Sequence, residues 1–167
     1  MAVAAKERKI LVAVDESEES AYALNWCLNN IVSPQFDDTV VLLYAQPLPV
    51  SYSAFDASGF VFSTDMMATM EKYALQVSRS IMDKAKKSCS DLAGDIKVET
   101  MVEKGDAREV ICQAVEKLSV DLLVMGSHGY GAIKRAFLGS VSNHCAQSVR
   151  CPVLIAKRPK SILNSST

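Results

Sequence analysis

Residues Gly126 to Ser140 read GSHGYGAIKRAFLGS and hold four of the seven glycines in a chain of 167 residues. A glycine after a strand allows torsions and close approach that a side chain would block, and successive exposed amides can surround an anion. That combination describes a phosphate cradle. Gly139 and Ser140 then open a helix whose first amides lack intrahelical partners, so its positive end and the Ser140 hydroxyl can face the same anion. Lys134 and Arg135 lie between them and add positive charge. Far upstream, Asp15 closes an apolar run. A carboxylate there would repel phosphate, but it can accept hydrogen bonds from a ribose or hold a divalent metal.

Better-known phosphate motifs are absent. No Gly-x4-Gly-Lys-Ser/Thr string occurs, and a dinucleotide fingerprint begun at Gly129 and Gly131 would need glycine where Lys134 stands. The bland reading of Gly126, Gly129 and Gly139 is a set of turn and packing glycines, and that of Asp15 is a turn starter after a strand. His128 is open to two readings, a general base or a local hydrogen-bonding group. His144 and Cys145 are adjacent rather than four apart, which suits a partly buried helix face better than a metal pair.

These residues need elements to place them. Lys9 to Val14 (KILVAV) is a run typical of a strand buried on both faces, and Ser17 follows as a helix cap ahead of Glu18 and Glu19. Thr39 to Ala45 reads as strand two, Asp65 to Cys89 as a helix, and Ile96 to Val102 as strand three. Asp106 and Glu109 have capping-box spacing, Leu122 to Met125 is strand four, a helix starts near Gly139, and Pro152 to Ala156 is strand five. The stripe from Met66 and Met70 through Tyr73 to Val77, Ile81 and Ala85 is expected to be core. The alternation predicts one α/β domain, an open five-stranded parallel sheet with helices on both faces. In such a sheet ligands bind beyond the strand carboxyl ends where strand order reverses, so strands one and four flanking that point would bring Asp15 to the glycine loop.

Boundaries are expected as an N-terminal extension at 1–8, a domain at 9–158 and a flexible tail at 159–167. The connection at 46–64, with Tyr52, Phe55, Phe60 and Phe62, is long enough to be either a flap or a surface insertion. Five cysteines without a Cys-x-x-Cys pair argue against a disulfide scaffold or zinc ribbon and for a reducing, cytoplasmic setting, with nuclear entry left open. No stretch suits a signal peptide or a membrane span, so a soluble protein is expected. Net charge is −1, but no acid follows Asp121 while six bases do. The residues before that stretch therefore balance 12 basic against 19 acidic, or −7. An anionic partner is expected at the C-terminal part, and DNA is not, since duplex binders are more basic overall.

The spacing Gly126-x2-Gly129-x9-Gly139-Ser140, with Asp15 upstream and the string Met125-Gly126-Ser127-His128-Gly129, resembles the ATP-binding branch of the universal stress protein family, in a plant-like member. The resemblance implies a Rossmann-like sheet ordered 3-2-1-4-5, of the adenine nucleotide alpha hydrolase-like kind. It also implies ATP or AMP as ligand, with Mg2+ on the phosphates, and a homodimer joined through the edge strand Pro152 to Ala156. By position Asp15 is similar to the acid near the ribose, and Ala45 to the residue whose backbone meets adenine. Gly126, Gly129, Gly139 and Ser140 resemble the phosphate set, with Ser142 a looser match. Val14, Met125, Ser127, His128 and Val141 complete the implied pocket, with no catalytic residue and no protein-held metal. The implied role is a stress-response or signalling module with at most weak ATPase activity. Two alternatives stand beside it: a slow ATP hydrolase or phosphotransferase using Asp15 and His128, and a nucleotide-independent chaperone or interaction dimer.

Overall fold

A computed structural model describes residues 6–48, 64–128 and 138–159. Strand β1 (Arg8–Ala13) leads through helix α1 (Glu18–Asn30) to β2 (Asp38–Gln46). Helix α2 (Thr64–Ala93), β3 (Lys97–Lys104), α3 (Ala107–Leu118), β4 (Leu122–Gly126), α4 (Ser140–Ser148) and β5 (Val153–Ala156) follow. All pairings are parallel and the sheet runs β3-β2-β1-β4-β5. This is the expected order. The aromatic connection falls at 49–63, outside the described residues.

The apolar runs that lack alternation are explained by cores on both faces of the sheet. Ile10, Val12, Val40, Leu42 and Val124 pack under α1 and α2, where they meet Leu24, Cys27, Ile81 and Cys89. Their neighbours Leu11, Val41, Leu43, Leu123 and Met125 pack on the other face, against Ile111, Val115 and Cys145 of α3 and α4. Strand β3 is an edge, and its exposed Lys97, Glu99, Glu103 and Lys104 discourage further pairing there.

Three expectations change. Strand β1 spans Arg8–Ala13 rather than Lys9 to Val14, and its first residue is tied to β2. The methionine stripe is not core at its start: Met66 is 51% and Tyr73 68% exposed, and burial begins in earnest only at Ser78 and Ile81. A helix of 30 residues is about 45 Å long and overshoots strands of nine residues or fewer, so its first turns project past the sheet. At α3 the Asp106 carboxylate takes the Arg108 amide at 2.9 Å and its guanidinium at 2.8 and 3.0 Å, an arrangement centred on Arg108 rather than Glu109. These bonds hold Asp106 down at about 2.

The amino ends of β1 and β2 carry the main polar fastening. Asp38, 4% exposed, accepts from Arg8 Nε and Nη2 at 2.7 Å each and from the Ser33 amide at 3.2 Å, while the Arg8 guanidinium lies 4.2 Å from the Phe36 ring centroid. Asp121 similarly accepts the Lys9 amide at 2.9 Å, which stabilises its charged form and lowers its pKa. Removing the acid strands a cation and an amide. Asp38→Ala should therefore lower unfolding free energy by about 3 kcal/mol, read as a lower urea midpoint at constant slope. Thr39 is the converse case, 1% exposed with a hydroxyl that has no partner among the described residues. Thr39→Val should leave stability unchanged or raise it by up to about 1 kcal/mol, and a clear loss would mean that the hydroxyl is bonded.

Candidate functional site

The carboxyl ends of β1, β2 and β4 converge on one crevice. At β1, Val14 extends the ladder by donating its amide to Leu43 O at 2.9 Å, and the chain then turns sharply. The turn is closed by the Asp15 carboxylate, whose Oδ1 accepts the Ser17 amide at 2.8 Å and the Ser17 hydroxyl at 2.5 Å. Ser17 Oγ in turn accepts the Ser20 amide, and Ser20 Oγ accepts the Asp15 amide at 2.9 Å. The turn-forming reading of Asp15 is thus fulfilled, and the same bonds hold its carboxyl group at the crevice.

Gly126 ends β4 where α1 comes closest. A Cβ built there would lie 2.9 Å from the Glu19 carbonyl carbon and 3.0 Å from its oxygen, so the glycine seats α1 against the sheet. Beyond it, Ser127 is buried, with its hydroxyl 3.1 Å from His128 Nδ1. Residues 129–137, including Gly129, Lys134 and Arg135, lie outside the described residues. The chain is described again at Leu138, and Gly139 returns to β4, its amide donating to Ser127 O at 2.6 Å. A Cβ at Gly139 would meet Ser127 O at 3.1 Å and His128 Cα at 3.3 Å. The buried Ser142 hydroxyl also donates into this junction, 2.9 Å from Ser127 O and 3.1 Å from Gly139 O. It is a strut for the helix start.

Between these parts lies a cavity of about 500 Å3, within the range of small-ligand sites. Val14, Asp15, Ala45, Met125, Gly126 and His128 line it, and Gly139, Ser140, Val141 and Ser142 close it on the α4 side. Ser127 stands behind the wall. Sequence reasoning missed Pro47 after β2 and Ala107 and Ile111 on α3, which add an apolar wall beside Ala45. The signal was available: a helix following β3 also starts at the carboxyl edge of the sheet. Tyr44 joins the lining too, and burial with the Glu16 and Asp15 carboxylates raises its phenol pKa.

Charge is divided across the cavity. Helix α1 starts with Ser17 as cap and Glu18 and Glu19 in its first turn, α2 has Asp65, and α3 has Asp106 and Glu109. Of the four helices among the described residues, α4 alone has neither an acid in its first turn nor a side-chain cap bond. Its first amides and the positive end of its dipole meet the cavity, which suits an anion, while the Asp15 side suits hydroxyl or amine donors. A second cavity of about 430 Å3 between α1 and α2 shares Asp15 and Glu16 and is lined by Glu18 and Lys84, and the helix start it meets is the capped, acidic one of α1. Among the described residues no three His, Cys, Asp or Glu side chains come together to hold a metal.

The family model described as "Universal stress protein family" matches residues 7–157. The chain belongs to the universal stress protein family. Universal stress protein PHOS32 of Arabidopsis thaliana is 34% identical over 167 residues, covering 93% of this chain and 67% of that protein. PHOS34 of the same plant is 35% identical, covering 93% of this chain and 64% of its own length. The chain thus spans about two thirds of these relatives. A solved Arabidopsis thaliana family protein with AMP bound superposes with a TM-score of 0.65 at 24% identity, covering 95% of this chain and 96% of that one. At that identity the likeness carries the fold.

In this universal stress protein the Gly126 contact is with helix backbone, which has little room to yield. Gly126→Ala should therefore cost about 1–3 kcal/mol in chemical denaturation by forcing α1 off the sheet. Wild-type stability in that variant would show that α1 is loosely seated.

Proposed function

We propose that this chain is an adenine-nucleotide-binding module, taking AMP or ATP, with Mg2+ carried on the phosphate oxygens. One observation carries the reading: an uncapped helix start faces a cavity whose opposite wall presents a carboxylate. Phosphate would meet the amides of Ser140, Val141 and Ser142, the Ser140 hydroxyl, and Gly129 in the loop. Ribose hydroxyls would donate to Asp15. Adenine would lie against the backbone of Ala45 and the apolar wall made with Val14, Met125 and Val141, with His128 at the phosphate side. The AMP held by the Arabidopsis relative supports this class of ligand.

The functional unit is the span 9–158, working as a nucleotide-dependent stress-response or signalling module. Among the described residues strand β5 pairs only with β4 and leaves Val153, Leu154 and Ile155 partly exposed, which supports a homodimer through that edge. Cysteines that are free wherever the structure describes them support a cytoplasmic setting. No described helix is long and apolar enough to cross a membrane.

A ligand that binds only the native state stabilises it by about 2.7 kcal/mol at one hundred times its Kd. Saturating AMP or Mg-ATP should therefore raise the melting temperature by several degrees. Gly139→Val, which drives a side chain into Ser127 and His128, should abolish that rise. An unchanged wild-type melting temperature would favour the nucleotide-independent interaction dimer. Steady-state phosphate release well above the Gly139→Val control would favour the slow hydrolase.

A further inference from the structure

Helix α2 leaves a gap where it passes the start of α1. The side chains that line it from the two helices include the small Ser20, Ala21, Ser80 and Ala85, and the cavity of about 430 Å3 that remains has the buried Leu24 and Ile81 as apolar lining. That volume suits a small ligand. Its charges are unevenly placed, with Asp15, Glu16 and Glu18 coming from a single turn against Lys84 of α2. Glu18 is ion-paired with Arg158, whereas Glu16 enters no ion pair among the described residues. Lys84 is exposed, so its stem can cover apolar surface with the ammonium in water. The helix start at this cavity offers an anion little, because Ser17 caps it and Glu18 and Glu19 occupy its first turn.

Ser20 is a second, independent mark of a ligand. It is 5% exposed, its Oγ accepts the Asp15 amide, and its own proton has no acceptor among the described residues. A buried donor is costly to leave unmade, and an oxygen on a ligand would take it.

We propose that the cavity between α1 and α2 is a second binding site, for a small amino alcohol with an apolar body, and that its occupancy strengthens nucleotide binding in the neighbouring cavity. The apolar body lies against Leu24 and Ile81, the ligand hydroxyl accepts from Ser20, and the ammonium pairs with Glu16. The coupling comes from a shared wall, since Val14, Asp15, Glu16 and Ser20 line both cavities. The Glu16 charge opposes a phosphate next door, and an ammonium paired with it removes that opposition. This second effect rests on the nucleotide reading, whereas the amine site does not.

The 15N-labelled full chain would be titrated with phenylethanolamine, and separately with phenylethanediol, which lacks the charge, and mandelate, which reverses it. AMP affinity would be measured with and without the amine. The expected result is a set of amide shifts at Ala21, Val77, Ile81 and Ala85 that saturate with phenylethanolamine, need about threefold more of the diol, and are absent with mandelate. Saturating amine should raise AMP affinity about threefold. Glu16→Gln should weaken the amine about threefold and by itself raise AMP affinity by a similar factor. Ala21→Leu, at an exposed helix position, fills the cavity from α1 and should abolish the amine shifts while leaving AMP affinity unchanged. Diol or mandelate binding as tight as the amine, shifts that gather at Ala45 and Ser140, or no saturable shift at all would overturn the amine site. Amine binding with unaltered AMP affinity would overturn the coupling. A protein that takes the amine and binds no AMP would overturn the nucleotide reading and the coupling while keeping the amine site.

Discussion

One junction governs the crevice: the return of the chain to the Ser127 carbonyl at Gly139. That carbonyl takes both the Gly139 amide and the Ser142 hydroxyl, and the closest of these bonds is 2.6 Å. The helix start is therefore held by its own backbone and by a side chain within its first turn. With no acid or hydroxyl among the described residues capping it from outside, the next amides are left to the cavity. A larger residue at Gly139 would separate the two elements, and a cap supplied by Asp or Ser ahead of α4 would occupy the same donors that an anion needs.

The sheet divides its labour between its two ends. Amino ends of the strands carry fastenings that serve stability, with Arg8 against Asp38 and Asp121 against the Lys9 amide. Carboxyl ends carry turns whose polar groups close local loops and also face the crevice, as Asp15 does through Ser17. Because the order places β1 beside β4, the acidic turn and the uncapped helix become opposite walls of one cavity. A parallel sheet with another order would have held the same residues apart.

Much of this was legible in residue types and spacing. Continuous β-branched runs marked buried strands, Ser17 announced α1, and Gly126 and Gly139 marked the end of β4 and the start of α4. What the spacing could not convey was contact across the fold. Gly126 reads as a loop glycine, yet its closest neighbour is the Glu19 backbone of α1. Met66 continues an apolar period, yet helix length carries it beyond the sheet. Ser142, a looser match to the phosphate set by resemblance, has a hydroxyl whose bonding partner within the junction no spacing could show. Ala107 and Ile111 carry no motif at all, because an apolar wall is defined by shape and not by residue chemistry.

Nucleotide binding at this crevice requires that the first amides of α4 receive an anion. Titrating 15N-labelled protein with AMP and following backbone amide shifts tests this directly. Gly139, Ser140 and Val141 should move furthest and saturate together with Asp15 and Ala45. Shifts that leave these five residues still and gather instead at Val77 and Lys84, in the cavity between α1 and α2, would contradict it.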